Sequence, residues 1–511
     1  MLAGIAVLCH GMAETASTYD ELPYTGLAYW FSHPDHLGLV GALHGIATAR
    51  SPSCRVLEVG CGDGGNILSL ASLLPGSTFV GLDLSEVHIR QGQQTAAEVG
   101  LTNVSLHHAD LTKFEVEPGT FDFVIAHGLY SWVPEFARDG LLALIRRALK
   151  PTGVAVVSYN TLPGQALFEP VRSLMRFHTA PLTDANAKVR QARAIANAWC
   201  DHFVTNDSEG RGAVVKRLAM VVKGLSPMMV RHDYLSEFEH PIWFSDFVAH
   251  ANRHGLAYLD NALPSAQRPE LLEPAAREML AQLEDRVRAQ QYFDHFDNTR
   301  FRVTLLARAD APRTEPLSLS ELALEDRLDV EQDPATVNPT PRVVLDTASG
   351  EVEIRDMATR ISLAFIFEQA PRPVPMRELR DAVMGRLRVY DPDSESLFTL
   401  DEAGRDLLLA HLEAVLSELW RRDVVHRWRD PPNSYARRPD HPETGKLQRV
   451  LARRGAPISS LYHRFAQLDD KARELLAALD GTLDIATLSA RFGPDTEKRI
   501  SALRRERLLF G

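Results

Sequence analysis

The sequence predicts an α/β fold: a Rossmann-like, doubly wound sheet with a helical insert, followed by two mainly helical, winged-helix-like units. Three observations predict it. The stretch Arg55–Gly65, RVLEVGCGDGG, is a β-type apolar run that breaks into four glycines, Gly60, Gly62, Gly64 and Gly65. From there to residue 160, apolar runs alternate with helical patterns through short connections, as a parallel sheet requires. Beyond residue 309 that alternation stops and helical periodicity takes over.

Residues 1–50 read as an N-terminal flap ahead of the sheet. Leu2–Leu8 is apolar but short and lacks a basic flank, so it reads as a tail rather than a signal peptide. After Tyr19–Tyr24 and His33–His36, the residues Leu37, Val40, Leu43 and Ile46 make a helical stripe. The core spans 51–160. Arg55–Gly60 is its first strand, and Asn66–Leu74 the helix that follows. Thr78–Leu84 is the second strand; Ser85 then caps a helix to about Val99. Val104–His108 and Phe121–His127 are strands three and four. Glu135–Leu149 is an amphipathic helix, and Val154–Tyr159 the fifth strand.

Residues 161–240 show no strand pattern and read as inserted helices, Ala- and Arg-rich at Ala185–Cys200 and Arg211–Val222. Residues 241–308 complete the sheet: helix Trp243–His254, strand Gly255–Asp260, a long charged helix Pro269–Gln290 and a last strand Phe301–Arg308. Residues 309–345, with eight acids and five prolines, read as a linker. Residues 346–430 and 431–511 each read as a three-helix, winged-helix-like unit. The first has helices Met357–Phe367, Met376–Arg386 and Leu407–Trp420 with a wing strand in Asp423–Trp428; the second has Asp470–Leu479, Ile485–Arg491 and Thr496–Arg505.

A length of 511 residues suggests roughly three domains. The formal net charge of −11 argues against steering toward nucleic acid. The basic stretches Arg421–Arg438 and Lys498–Arg507 then read as solvated faces or domain contacts. The four cysteines, Cys9, Cys54, Cys61 and Cys200, form no CxxC pair, which fits a reduced, cytoplasmic setting and no metal site. No run approaches the ~20 apolar residues of a membrane span.

In open α/β sheets ligands lie across the carboxyl ends of the strands, at the switch point. That places Glu58–Gly64, Asp83, Asp110, His127–Trp132 and Tyr159–Asn160 around one crevice. A dinucleotide would bring its pyrophosphate to the glycine loop, where the carboxylate of Glu58 would repel it in a poorly screened site. Glu58 suits a ligand with positive charge there. S-adenosylmethionine, with an ammonium, a sulfonium and no phosphate, is such a ligand. Asp83 lies about the ~20 residues past the loop expected of a ribose-hydroxyl acceptor; its alternative is a helix cap. Asp110 suits the adenine amino group, with Leu111 against the ring; its alternative is a turn. The expected cofactor set is Glu58, Gly60, Cys61, Gly62, Asp83, Leu84, Asp110, Leu111 and His127. His127 as a base competes with a packed strand-end histidine. Tyr24, Tyr130, Trp132 and Tyr159, with Asn160, form the expected acceptor group: aromatic faces attract ammonium and sulfonium, and a desolvated pocket helps a lysine amine lose its proton. The alternative for each aromatic is core filling.

These residues resemble a known family, the bacterial class I methyltransferases that carry a methyltransferase regulatory domain, in particular the rickettsial outer-membrane-protein lysine methyltransferases. The matching stretches include Tyr19–Tyr24, Ser32–Leu37, Val56–Asn66, Phe79–Ser85, Leu101–Leu111, Phe121–Pro134, Val157–Gly164, His240–Leu259, Gln291–Arg308 and Leu476–Leu488. The resemblance implies a class I methyltransferase sheet of seven strands, S-adenosylmethionine as cofactor, homodimers assembled partly through the inserted helices, and an open cavity for a protein substrate. It implies N-methylation of protein lysine. A small-molecule acceptor, or an S-adenosylmethionine-responsive interaction protein, are the alternatives.

Overall fold

The computed structural model describes residues 26–205, 218, 221, 224–236, 238–318, 321–326, 343–347, 350–370, 372–387, 389–391, 396–398, 401–432 and 440–510. Tyr24 and most of the expected helix Arg211–Val222 lie outside these residues.

Seven strands form one sheet: β1 (Arg55–Val59), β2 (Thr78–Asp83), β3 (Val104–His108), β4 (Phe121–Ala126), β5 (Leu149–Asn160), β6 (Leu256–Asn261) and β7 (Phe301–Arg308). Their order is β3-β2-β1-β4-β5-β7-β6. β1 to β5 are parallel, and β7 runs antiparallel between β5 and β6. That antiparallel strand is what separates a class I methyltransferase sheet from a dehydrogenase sheet. Chain order reverses between β1 and β4, so a crevice opens at their carboxyl ends.

Side chains alternate across the sheet and build a core on each face. On β4, Phe123 and Ile125 join one cluster while Val124 and Ala126 join the other. The first cluster takes α1 (Pro34–Leu43), α2 (Gly65–Leu73) and α3 (Glu86–Val99); the second takes α4 (Glu135–Ala148) and, further on, α7 (Phe244–Arg253). The flap expected over residues 1–50 is corrected where it is described. α1 is buried from Pro34 to Ala42, and Leu37, Val40 and Ile46 share a cluster with Val154 and Val156 of β5. The expected stripe is only part of a helix that is apolar almost all round, and such a helix belongs inside a core.

After β5, α5 (Glu169–Thr179) and α6 (Ala185–Thr205) pack together as the insert, joined by a π-helical turn at Val230–Tyr234. The long helix expected over Pro269–Gln290 is two helices, α8 (Pro274–Ala281) and α9 (Arg286–Asp297). Asp285 starts the second by accepting hydrogen bonds from Val287 N and Arg288 N, a cap that begins a new helix after the first has ended at Ala281. α9 is pinned to β7 by a buried bidentate ion pair, Arg302 Nε to Asp294 Oδ2 at 2.8 Å and Arg302 Nη2 to Asp294 Oδ1 at 2.7 Å.

The expected linker is corrected as well. Thr314 N and Leu317 N donate to the carbonyls of Gly45 and Ala42, at 2.8 and 3.0 Å, strapping the segment along the end of α1. Ala323–Asp326 is a strand between Val374–Pro375 and Val425–Trp428. The acids of this stretch hide a short apolar run, Leu322-Ala323-Leu324, that is buried. The middle unit adds helices Met357–Gln369, Met376–Arg386 and Glu402–Arg421; the last unit has Lys446–Arg454, Asp470–Ala478, Ile485–Phe492 and Thr496–Arg505. Among the described residues no helix is long and apolar enough to cross a membrane.

Candidate active site

β1 ends at Glu58-Val59, and the chain then turns through Gly60, Gly62 and Gly64 with φ of 76°, 55° and 82°. These left-handed angles are open to glycine at little cost, so this turn can approach a ligand with bare backbone. A Cβ on Gly62 would meet nothing within 4 Å, so the loop faces open space. Gly60 N and Cys61 N donate to Leu82 O at 2.8 and 3.1 Å. Asp83, at the end of β2, closes the arrangement: its Oδ2 accepts from Gly62 N and its Oδ1 from Ser85 N, both at 2.9 Å.

A cavity of about 230 Å³ lies against this turn. Its walls include Glu58, Gly60, Cys61, Gly62, Asp83, Leu84, Leu111, His127 and Trp132 from the expected set. Tyr29 and Asn66 line it from the N-terminal side, and His232 and Asp233 from the insert. Glu58 is 4 % exposed. Its Oε1 accepts from Asn66 Nδ2 at 2.9 Å, while Oε2 is buried without a hydrogen-bond partner among the described residues. Burial pushes the carboxyl up to about 8 against the pull of the Asn66 hydrogen bond, and the charges of Asp83 and Asp63 add to the rise. A buried acid with a spare oxygen beside a glycine turn is matched by a ligand cation and mismatched by a phosphate.

Residues 56–153 match the family described as methyltransferase domain, and residues 226–308 the family described as predicted methyltransferase regulatory domain. Residues 56–153 are a class I methyltransferase domain. Its cofactor is S-adenosylmethionine. Glu58 and the bare-backbone turn put a buried acceptor beside open backbone, and Asp83, Leu84 and Leu111 stand in the same wall.

The methyltransferase domain and its surroundings recur in several known proteins. An uncharacterised protein of Rickettsia prowazekii (strain Madrid E) is 34 % identical over 303 residues, 59 % of this chain and 54 % of that protein. A second from the same organism is 29 % identical over 236 residues, 46 % of this chain and 94 % of that protein. One from Synechocystis sp. is 26 % identical over 300 residues, 56 % of this chain and 57 % of its own length. The match thus spans about half the length of the first and third. Among solved structures, PKMT2 from Rickettsia typhi in complex with AdoHcy superposes with a TM-score of 0.83, covering 96 % of this chain and all of that one at 22 % identity. The shared fold therefore extends through the units beyond the methyltransferase domain.

Several expected site residues lie elsewhere. Tyr130 is fully buried behind the crevice, its hydroxyl on His250 Nδ1 at 2.7 Å, and burial pushes it up to about 12. Tyr159 is buried against Phe247, ring centroids 4.0 Å apart, with its hydroxyl on Thr304 Oγ1 at 2.9 Å. Burial pushes this phenol up strongly. Both are core residues, because their side chains turn toward the sheet face that α4 and α7 cover. Asn160 is taken by the insert: its Nδ2 donates to Glu239 Oε1 at 3.0 Å, and Glu239 is ion-paired to the buried Arg172 at 2.7 Å. Asp110 does not line the cavity; its Oδ1 accepts from Thr112 N and Oγ1 at 2.9 and 2.7 Å, while its neighbour Leu111 does line it.

His127 packs on Tyr29 and Phe31 with ring centroids 4.0 and 5.1 Å away. Burial lowers it to about 4, so it stands as a neutral imidazole at neutral pH. Asp233 is the residue that sequence reasoning missed. It sits in the π-helical turn, where Leu235 N reaches back to Val230 O at 3.0 Å; such turns often mark functional sites. Burial pushes it up to about 7, and Glu239 adds to the rise while Arg300 opposes it. The one sequence signal is compositional: residues 210–232 contain no acid, and Asp233 is the first to return.

Proposed function

We propose that the protein transfers the methyl group of S-adenosylmethionine to the side-chain amine of lysine in a protein substrate. The observation that carries the reading is Asp233, an acid brought by the insert into the wall that Glu58, His127 and Trp132 share. One acid serves the cofactor's ammonium, and the second is free of that duty. An acid whose carboxyl titrates near 7 beside a cofactor crevice fits a cationic acceptor that must give up a proton.

When bound, S-adenosylmethionine supplies a methyl carbon attached to a positive sulfur, which an amine displaces in line. The protein's residues do the rest. Glu58 holds the ammonium end, and Asp83 is placed for the ribose hydroxyls. The carboxylate of Asp233 attracts a lysine ammonium and takes its proton, leaving a neutral amine. Trp132 offers an aromatic wall beside it, and neutral His127 adds no repelling charge. Orientation of amine and cofactor then supplies most of the acceleration.

The likeness in fold to PKMT2 from Rickettsia typhi, with AdoHcy bound, over 96 % of this chain is in keeping with this reading. The insert also exposes Phe177 at 82 % and Leu167 at 42 %, side chains that a dimer contact could cover. Buried free cysteines Cys54, Cys61 and Cys200 suit action in the cytoplasm. We assign 51–160 and 241–308 to the catalytic sheet, 161–240 to the dimerising insert, and the winged-helix-like units to partner contacts other than nucleic acid.

The test is a labelled-methyl screen of cell lysate, separated by size. Label in protein, its rate lowered about a hundredfold by Asp233→Asn, is expected. Label confined to low-mass acceptors would replace the protein substrate with a small molecule, and no label anywhere would overturn the reading.

A further inference from the structure

We infer that His463, in the last unit of the chain, is a positioning residue of the cofactor site: it fixes the side chain of Asn66, and Asn66 holds Glu58. The inference rests on reading the crevice as the S-adenosylmethionine site. His463, Ser69 and Ser32 are fully buried, and Asn66 is 3 % exposed. His463 lies 397 residues from Asn66 in sequence, yet its Nε2 is 2.8 Å from Asn66 Oδ1.

The hydrogen-bond roles follow from chemistry. Asn66 Nδ2 donates to Glu58 Oε1 at 2.9 Å, so Oδ1 is the amide atom turned away from the carboxylate. Oδ1 also accepts from Tyr29 N at 3.0 Å, and Ser32 Oγ lies 3.1 Å from it. An amide oxygen can only accept, so His463 Nε2 carries the proton. His463 Nδ1, then bare, accepts from Ser69 Oγ at 2.9 Å. Nε2 also lies 3.2 Å from Ser32 Oγ, whose own proton can go to Tyr29 O at 2.8 Å, so all the contacts are consistent with one neutral tautomer. Flipping the Asn66 amide would set its oxygen against Glu58 and its NH₂ against two donors. Tyr29 N, a backbone donor that cannot change role, opposes that flip, and His463 opposes it too because it would have to change tautomer.

The contact is therefore more than a seam between domains. Glu58 Oε1 receives its donor from Asn66, which leaves Oε2 as the oxygen in the crevice wall without a hydrogen-bond partner among the described residues. The last unit reaches the cofactor end of the site through one buried side chain. His463 sits at φ 57°, a left-handed angle uncommon outside glycine that histidine and asparagine both adopt more readily than most residues. The same unit has a second anchor, Arg454 on Thr95 Oγ1 at 2.7 Å and on Glu98, both on α3 and outside the crevice wall.

The experiment titrates S-adenosylmethionine into the full-length protein by calorimetry and follows methyl transfer at saturating cofactor. His463→Asn keeps the backbone angle but is too short to reach both partners. Its cofactor Kd is expected to rise about tenfold, as for other supports of directly binding groups, with kcat at saturation within about twofold of the wild type. Ser69→Ala, which leaves the ring tautomer unfixed, is expected to shift Kd the same way by a smaller factor. Arg454→Ala loosens the unit without touching the relay and is expected to leave Kd unchanged. A folded His463→Asn that binds like the wild type overturns the inference, as does Arg454→Ala weakening binding equally. A wild-type protein that fails to bind the cofactor would instead overturn the reading of the crevice.

Discussion

Lowering the pH from 8 to 6 is expected to weaken S-adenosylmethionine binding by an order of magnitude, and Glu58 is the reason. Its carboxyl is pushed up to about 8 by burial, against the Asn66 hydrogen bond and with Asp83 and Asp63 adding to the rise. Only the carboxylate pairs with the cofactor's ammonium. An α-amino group titrates near ~7.7–8.0. At pH 6 the carboxylate fraction is ~1 % with the amine almost fully protonated, so the competent product is ~0.01. Near pH 8 each fraction is about a half, and the product is ~0.2. Affinity should therefore rise about twentyfold from pH 6 to a maximum near 8 and fall again above it. The same group sets a stability slope. Because its folded pKa lies above the ordinary value, the ligand-free protein loses stability as pH rises from ~4.5 towards 8, and cofactor binding offsets that loss. The assay is calorimetric titration across this range in several buffers, so that released protons are counted. Glu58→Gln should flatten the acid limb. A flat wild-type profile, or an equal slope in Glu58→Gln, refutes the reasoning.

Three further outcomes follow. Asp233→Asn should lower kcat about a hundredfold, the low end for loss of an acid–base group, while cofactor Kd stays within twofold. In the wild type, kcat should rise with pH through about 7, where Asp233 ionises, and the variant should lose that limb in steady-state methyl-transfer assays. Tyr159→Phe should leave kcat within about threefold and cost ~1 kcal/mol of stability in urea titration, since its hydroxyl serves Thr304 in the core. Arg302→Met should destabilise by ~3–5 kcal/mol in the same titration by stranding buried Asp294, and adding Asp294→Leu should recover most of it.

What the sequence disclosed was local, and what it concealed was set by distant packing. The cofactor turn was legible because three alternate glycines need left-handed angles wherever they lie, and Glu58 is two residues from the first of them. Strands β1 to β5 were legible from short apolar runs set between helical patterns. Tyr130 and Tyr159 misled because a place at a strand end does not say which sheet face a side chain joins; α4 and α7 decided that. Asn160 was claimed by Glu239, from 79 residues further along the chain. Asp233 and His463 were invisible for the same reason. Each enters the site from a unit whose local pattern is helical and bland, and only the tertiary fold brings it there. The strand Ala323–Asp326 was hidden by charged neighbours such as Glu321, which is exposed, and Glu325, which pairs with Trp428 and Arg507.

The central claim is that two acids in one crevice, Glu58 and Asp233, divide the work between a cationic methyl donor and a cationic acceptor. It is tested most directly by incubating the full-length protein and deuterated-methyl S-adenosylmethionine with a lysine-rich protein substrate, then mapping the label by peptide mass spectrometry. The account predicts label on lysine side-chain nitrogen, its rate lowered about a hundredfold by Asp233→Asn while the cofactor still binds. Label on carboxyl, hydroxyl or thiol groups, or undiminished lysine labelling by Asp233→Asn, would contradict it.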